Sequence, residues 1–537
     1  MQLVPFFRSI ARRGLNGLRR FHRGINITRR LRSAAVFVRG RLLALSMPND
    51  KQALELLEKG HTSWLLLRLR ANLSGTSVGG VHLCDGTVES LYWVGMLPER
   101  IMTTLEPADR LMRLLAQVEP LLRRAVAAAP YFVDAHHLLA RNLWMQGRYQ
   151  EAPALFAEAE KARVRFAKAA GLNPDALLLL PENCAHILGL MGHLDAFFKH
   201  RHLTGDTRPY YLTAKPEDVV NDAFFGYWKD FLAPGVPDAS PLDAAAAHTA
   251  WASDWNWSIP LDGQMMHAHT AIARIQRKWT EQGLPPLLRL NTDHEQELHK
   301  FRQTIGMQPH EWFVCLHVRS AAYYADSASQ DFRNSPIEDY TPVIKAIVAA
   351  GGWIIRMGDP STPPLDPSLT ACDKVVDYAH HASRSSALDV ALSATCRLFV
   401  ATSSGLHTIA HAFGSRVCYV NIAIYAGFPW HQQCIFIPKL YYSDKLGRIL
   451  SMDEILSSHL IHADHQHLFA KDGVRLVNNT PDEITETVLE ALNAPDNSPA
   501  PPQFAALIAK NDLSLSPRLG QFFSEKWAKE LWAKSQS

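Results

Sequence analysis

The sequence predicts an α/β protein in which two doubly wound, Rossmann-like domains follow an N-terminal α-helical repeat-like module. Three observations carry this. The chain has 537 residues, too many for one ordinary core, so two or three domains are expected. From about residue 175, short apolar runs alternate with helical segments, the signature of parallel sheets with crossover helices. Between about 100 and 165 the chain instead reads as paired helices with a repeat. The expected organisation is a basic amphipathic arm over 1–49, a helical module over 50–170, a first Rossmann-like domain over 171–305, a second over 306–495, and a linker with a C-terminal helix over 496–537.

The arm stands out by charge. Residues 1–49 hold eleven arginines and no Asp or Glu, so of the overall +3 the rest of the chain carries +3 minus 11, or −8. Phe7, Ala11, Leu15, Leu18, Phe21 and Ile25 recur at helical spacing with Arg8, Arg12, Arg13, Arg19, Arg20 and Arg23 between them. That pattern suits a helix lying on an anionic membrane surface; a disordered basic arm or an organelle transit peptide has the same composition. Arg39 and Arg41 interrupt the most apolar run, Ala34 to Met47, which leaves nothing near the ~18 residues a spanning helix needs. Nucleic acid is not an expected partner, because aromatic residues are not interleaved at base-stacking spacing. With 47% hydrophobic and 20% charged residues the chain is that of a folded protein.

Seven widely spaced cysteines without a C-x-x-C pair read as buried free thiols in a reducing cytosol. His459, His462, His465 and His467 form a cluster with metal-ligand residue types, but no supporting Cys or carboxylate spacing accompanies it, and solvated surface is the better reading.

In the helical module, Ala140, Leu143, Gly147, Tyr149, Ala152, Phe156 and Ala159 fall at tetratricopeptide-repeat offsets, with small residues where helices touch. Leu122, Ala125 and Pro130 fit the end of a copy one period of about 34 residues earlier. Such stacks dock a protein partner or brace a neighbouring domain.

The first α/β unit is read as a strand at Ala176–Leu180, a helix at Ala185–His200, a strand at Pro209–Thr213, a helix at Pro216–Leu232 and a helix at Met266–Gln282. The second has strands at Trp312–Val318, Trp353–Met357, Lys374–Asp377, Leu398–Ala401 and Val417–Asn421. Its helices are read at Asp339–Ala350, Ser386–Ala394 and Gly405–Phe413, and a last helix at Phe522–Trp532.

In an open parallel sheet ligands bind beyond the carboxyl ends of the strands, so polar residues there are the candidates for chemistry. His317 and Arg319 end the first strand on one face, and arginine there suits a diphosphate through its planar, permanently charged fork. Arg333 and Asn334 follow in the next loop; Arg356, Gly358 and Asp359 end the second strand; Asp377 ends the third. Thr402, Ser403, Ser404 and Gly405 open a helix, where amides and hydroxyls form an anion site. A surface ion pair for Arg356 and a helix cap for Ser403 or Ser404 are the structural alternatives.

The runs CLHVRSAAYY, FRNSPIEDYTPVIKAIVAAGGWIIRMGDP, DYAH, ALDVALSATCRLFVATSSGLHTIAHAFGS and VNIA, with ILGLMGHLDAFFKHRHLTG and NDAFFGYW upstream, resemble a bacterial glycosyltransferase family of largely unassigned specificity over roughly residues 175 to 490. The His-x-Arg element is similar to that of GDP-fucose-type fucosyltransferases. The resemblance implies a GT-B fold and a nucleotide-sugar donor whose pyrophosphate Arg319 holds, with His317, Asp359, Ser403 and Ser404 beside it. Ser320-Ala321-Ala322 stand where those enzymes carry further basic residues, so the resemblance does not extend to fucose as the sugar. It also implies a catalytic base just after the first strand of the first domain, where Gly192-His193 opens a helix; His193 is the candidate, with Asp195 and Glu182 in reserve. The alternative for Gly192 is close packing, with His193 bonding the partner domain.

The reaction expected is inverting, metal-independent transfer of a hexosyl or deoxyhexosyl group to a glycan, lipid-linked or protein acceptor. No metal is expected, since no D-x-D element sits where it would hold Mg²⁺ against a diphosphate. Two rivals remain open: a nucleotide-sugar epimerase on the same fold, and a non-enzymatic repeat scaffold with a degenerate transferase domain. The expected location is the cytoplasm, peripherally on the inner face of the plasma membrane.

Overall fold

The computed structural model describes residues 50–70, 73–78, 80–98, 108–212, 214–234, 255, 257–321, 328–423, 434–493, 502–510 and 518–533. The basic arm, Trp251 and the Ala-Pro linker lie outside them. Two compact units divide the chain, 1–74 and 75–537. The first shows two nine-residue helices, Asp50–Glu58 and Thr62–Arg70. No helix among the described residues is long and apolar enough to cross a membrane.

Within the second unit the helical module supplies Gly86–Gly95 and then three consecutive helices, α1 (Ala108–Ala128), α2 (Val133–Met145) and α3 (Ala152–Ala169). Of the residues read at repeat offsets, Ala140, Leu143, Tyr149, Ala152, Phe156 and Ala159 are buried and Gly147 is half-buried. The module also packs outward. Trp144, Tyr149 and Phe156 share a buried cluster with Phe332, Tyr441, Leu468 and Phe469.

Seven parallel strands form the main sheet: β1 (Phe313–His317), β2 (Trp353–Arg356), β3 (Val375–Val376), β4 (Leu398–Ala401), β5 (Val417–Ile422), β6 (Cys434–Pro438) and β7 (Arg518–Leu519). Their spatial order is β3-β2-β1-β4-β5-β6-β7, that of a dinucleotide-binding doubly wound sheet with one strand added. All four residues of β2 and of β4, and all six of β5, are buried, as expected of strands covered on both faces. The register pairs Ala401 with His317 and Leu316 with Arg356, so β1, β2 and β4 end side by side. The winding reverses between β1 and β4, and a crevice opens there.

Over 171–305 the expected second doubly wound sheet is not found among the described residues. Leu178–Leu179 pairs in parallel with Tyr210–Tyr211 for two residues, and Ser258–Leu261 forms an antiparallel hairpin with Gln264–His267. Pro181 and Pro209 flank the short pair, and proline has no amide to extend a ladder. The expected helix over Ala185–His200 is broken into Asn183–His186, Leu188–Met191 and α4 (His193–Thr204), because Ile187 is extended. The helix expected from Met266 starts at Ala268, as α5 (Ala268–Glu281), since Met266 belongs to the hairpin. That over Pro216–Leu232 shrinks to a short turn and Asp222–Trp228.

Candidate active site

A cleft of about 390 Å³ lies at the carboxyl edge of β1 and β4. On the sheet side it is lined by His317, Arg319, Gln330, Arg333, Gly358, Asp359, Arg384, Asp389, Ser404 and Gly405. Across from them stand residues 187–190, His193, Asn221 and His269, and Asp464 and His465 line it as well.

The ends of β1 and β4 are tied together. The Thr402 amide donates to the His317 carbonyl at 3.3 Å, and the Arg319 amide donates to Thr402 Oγ1 at 2.9 Å. Ser404 Oγ and His317 Nδ1 share a hydrogen bond of 2.8 Å. Burial first, then Arg356 and Arg319, push the His317 imidazole down to about 3, so it is neutral at physiological pH.

Arg319 is only 7% exposed. Its guanidinium donates to Asn334 Oδ1 and, at 3.4 Å, to the Gln330 carbonyl. Behind it the buried Lys439 donates to the Asn334 carbonyl at 2.7 Å; burial, with Arg319 next, lowers that ammonium to about 8. Arg333 donates to the Ser403 carbonyl at 2.7 Å and to Gln330 Oε1 at 3.0 Å. Arg384 donates to the Gly358 carbonyl at 3.2 Å and lies 3.8 Å from the Asp359 carboxylate. Three guanidinium groups on separate segments therefore face one crevice.

Asp389 lies on the helix Ser386–Thr395, which Ser385 caps by accepting the Leu388 amide. Burial, with a smaller push from Asp359, raises its carboxyl to about 6 against the opposing pull of Arg384 and Tyr378. On the far side, burial, offset by Asp464, lowers His269 to about 4. Burial would raise Asp464, but His465 hydrogen-bonded to it holds the carboxyl at about 2.

The two walls meet at glycines. A Cβ on Gly405 would stand 2.6 Å from the Gly189 amide nitrogen, and one on Gly192 would stand 2.2 Å from Thr408 Cβ. Thr408 Oγ1 also donates to the Leu188 carbonyl at 3.2 Å. Close packing at Gly192 is thus real, and it sets His193 on the cleft wall.

Of the residues singled out from sequence, His193, His317, Arg319, Arg333, Gly358, Asp359, Ser404 and Gly405 line the cleft. Arg356, Asp377, Asn334, Thr402 and Ser403 stand behind it. Arg356 and Asp377 form a buried ion pair at 2.9 Å, with Arg356 also donating to the Pro363 carbonyl at 2.8 Å. Asn334 and Thr402 hold Arg319 from behind. The helix expected to open at Gly405 begins at His407 and runs only to Ala412, so Thr402–Gly405 is a loop. Asp195 is engaged by Lys199 and Gln276, each at 2.7 Å, and Glu182 is 64% exposed beside His186.

The histidine cluster is solvated only in part: His459 is exposed, His462 and His465 are half-buried and His467 is buried. His459 pairs with Asp472 at 2.6 Å, His465 with Asp464 at 2.7 Å, and the buried His467 with the Met145 carbonyl at 3.0 Å. His462 packs edge-on against Trp144, with centroids 5.5 Å apart. Trp144, Tyr149 and Met145 of the helical module cover His462 and His467. All seven cysteines are free, and six are buried.

Gln330, Arg384, Asp389, His269, Asp464 and His465 were not named as site residues from sequence. A lone carboxylate in the otherwise apolar helix SALDVALSAT was a usable signal for Asp389.

The sheet has the winding of doubly wound sheets, and three guanidinium groups and three carboxyls line the crevice at its reversal. Solved structures that resemble the chain include two glycosyltransferases. The E. coli ADP-heptose LPS heptosyltransferase II is 14% identical, over 59% of this chain and 98% of that one, at a TM-score of 0.36. A family 9 glycosyl transferase from Veillonella parvula DSM 2008 is 9% identical, over 60% and 98%, also at 0.36. No protein-family model and no curated protein matches the sequence.

Proposed function

We propose that the protein is a glycosyltransferase that moves a sugar from a nucleotide-sugar donor to an acceptor hydroxyl. The observation that carries this is the convergence of Arg319, Arg333 and Arg384 with the carboxyls of Asp359 and Asp389 in one cleft at the reversal of the sheet. Arginine forks bind a diphosphate through paired hydrogen bonds. Carboxylates in the same crevice accept hydrogen bonds from ribose or sugar hydroxyls. An epimerase would need no second substrate, whereas the histidine-bearing wall opposite the arginines gives an acceptor a place to stand.

In this reading the acceptor oxygen attacks the anomeric carbon while the bond to the diphosphate breaks. Arg319 and Arg333 are fixed by Asn334, Gln330 and the Ser403 carbonyl before the substrate arrives. Fixed donors aimed at developing charge stabilise a transition state with little reorganisation. A histidine of the cleft takes the acceptor proton, His193 being the sequence candidate. His317, neutral and bonded to Ser404, contributes a hydrogen-bonding group without adding charge.

The finer assignments belong to the same proposal: a hexosyl or deoxyhexosyl donor, inversion without a metal, a glycan, lipid-linked or protein acceptor, a protein partner on the helical module, and a cytoplasmic protein resting on an anionic membrane through its arm. The test is release of nucleoside diphosphate from a panel of nucleotide sugars, with and without cell-envelope glycan and lipid extracts. Acceptor-dependent release supports transfer. Epimerised nucleotide sugar formed without acceptor identifies the epimerase, and no turnover anywhere leaves the scaffold.

A further inference from the structure

Resting on the transferase reading, we propose that His465, oriented by Asp464, is the base that deprotonates the acceptor, in place of His193. The two residues line the cleft and are joined by a hydrogen bond of 2.7 Å between His465 Nδ1 and Asp464 Oδ1. The Asp464 carboxyl is held at about 2, so it is ionised and can only accept. The hydrogen in that bond therefore sits on Nδ1, and in the neutral ring Nε2 carries the lone pair. Among the described residues no hydrogen bond engages Nε2. A base whose tautomer and orientation are fixed by a carboxylate is the arrangement that general-base catalysis of a hydroxyl requires.

The pair is also rigidly mounted. Gln330 donates to the Asp464 carbonyl at 3.3 Å, which ties the segment to the loop that fixes Arg319 and Arg333. On the other side, His467 bonds the Met145 carbonyl at 3.0 Å and Lys471 the Gln146 carbonyl at 3.2 Å. The helical module thus clamps the chain that carries the base, which gives the module a part in the site. In the helix of His193, Asp195 is bonded to Lys199 and Gln276, and the His193 ring lies edge-on to Phe197 and His269.

The step balances. The acceptor oxygen forms a bond to the anomeric carbon with its lone pair, and the bond from that carbon to the diphosphate oxygen breaks, its electron pair leaving with the nucleoside diphosphate. The hydroxyl proton passes to His465 Nε2, and the imidazolium so formed is paired with Asp464.

The experiment compares full-length wild type, His465→Ala, His465→Gln, Asp464→Asn and His193→Ala. UDP, GDP, ADP and their hexose conjugates are the binding probes, and release of nucleoside diphosphate from whichever conjugate binds, in the presence of cell-envelope glycan and lipid extracts as acceptor source, is the turnover. His465→Ala and His465→Gln are expected to keep probe affinity within a few-fold and to lose on the order of 10² to 10⁴ in turnover. Added imidazole should restore part of the loss in His465→Ala and none in His193→Ala. Asp464→Asn should lose less than His465→Ala. Near-normal turnover by folded His465→Gln, or rescue confined to His193→Ala, overturns the assignment while leaving the transferase reading in place. Wild type that binds and turns over none of the probes overturns the transferase reading, and the assignment with it.

Discussion

Replacing Gly405 by alanine isolates the junction that holds the two walls of the cleft at their spacing. The added Cβ would stand 2.6 Å from the Gly189 nitrogen and 3.0 Å from its Cα. Non-bonded heavy atoms rest at about 3.5 Å or more, so the walls must part by roughly 1 Å. Both obstructing atoms are backbone, and no rotamer change relieves them. Overpacking of this kind costs about 1–3 kcal/mol, and a misplacement of about 1 Å across an active site costs on the order of 10² in rate. Gly192→Ala meets Thr408 Cβ at 2.2 Å, with Thr408 Oγ1 and Cγ2 at 2.6 and 2.7 Å. Here a compensating change exists: Thr408→Gly removes the Cβ, whereas Thr408→Ala leaves it in place. A double-mutant cycle should therefore show favourable coupling of about 0.5–3 kcal/mol for Gly192→Ala with Thr408→Gly, and less with Thr408→Ala. Thermal melts and nucleoside diphosphate release on the single and double variants are the assays. If Gly405→Ala melts and turns over like wild type, or if Thr408→Ala rescues Gly192→Ala as well as Thr408→Gly does, the walls do not meet as described.

Other perturbations have equally definite outcomes. Arg319→Lys keeps the charge but loses the fork that Asn334 and the Gln330 carbonyl hold; turnover should fall by on the order of 10², about 3 kcal/mol, with donor affinity falling less. A fully active lysine variant removes Arg319 from the site. Asp377→Asn leaves Arg356 buried without its carboxylate, so stability should drop by about 3–5 kcal/mol in denaturant melts; a change under about 1 kcal/mol would show that the pair is dispensable. The Asp389 carboxyl stands at about 6 in the fold against an ordinary 3.8. The folded protein then binds the proton more tightly than the unfolded chain, and its contribution to stability is lost as pH rises from about 4 through about 6. Asp389→Asn should remove that loss, on the order of 3 kcal/mol, which pH-dependent melts of the two proteins measure; parallel curves refute it. Deleting residues 1–45 should release the protein from anionic liposomes without altering nucleotide binding, and undiminished liposome binding refutes the membrane role of the arm.

The sheet could be read in advance where strands are short apolar runs bounded by turn signals. Leu398–Ala401 was expected at the bounds it has, and β1, β2, β3 and β5 within one or two residues. The strands β6 and β7 escaped notice. CIFIP carries no alternation to mark it, and a two-residue strand such as Arg518–Leu519 has no periodicity at all. The region before the sheet misled for the opposite reason. The two runs read as strands, Ala176–Leu180 and Pro209–Thr213, pair for two residues only, and the helices read at Ala185–His200 and Pro216–Leu232 are broken or shortened.

At the site, the chain order of polar strand ends located the crevice but not which side chains face it. Arg356 and Asp377 end neighbouring strands just as Arg319 does, and only the three-dimensional register shows that they face each other. Nor does local sequence tell that α2 and the Tyr149 turn after it cover His462 and His467 while Asp464 and His465 stay on the cleft. That depends on a contact between residues more than 300 positions apart, for which helical and strand periodicity carry no signal.

The most direct measurement is thermal stability of wild type and Arg319→Ala against UDP, GDP, ADP and their sugar conjugates. One nucleoside diphosphate class should stabilise the wild type by about 2.7 kcal/mol at 100 times its dissociation constant, and its stabilisation of Arg319→Ala should be largely lost. Stabilisation by none of them, or equal stabilisation of both proteins, would contradict a nucleotide-sugar site in the cleft between β1 and β4.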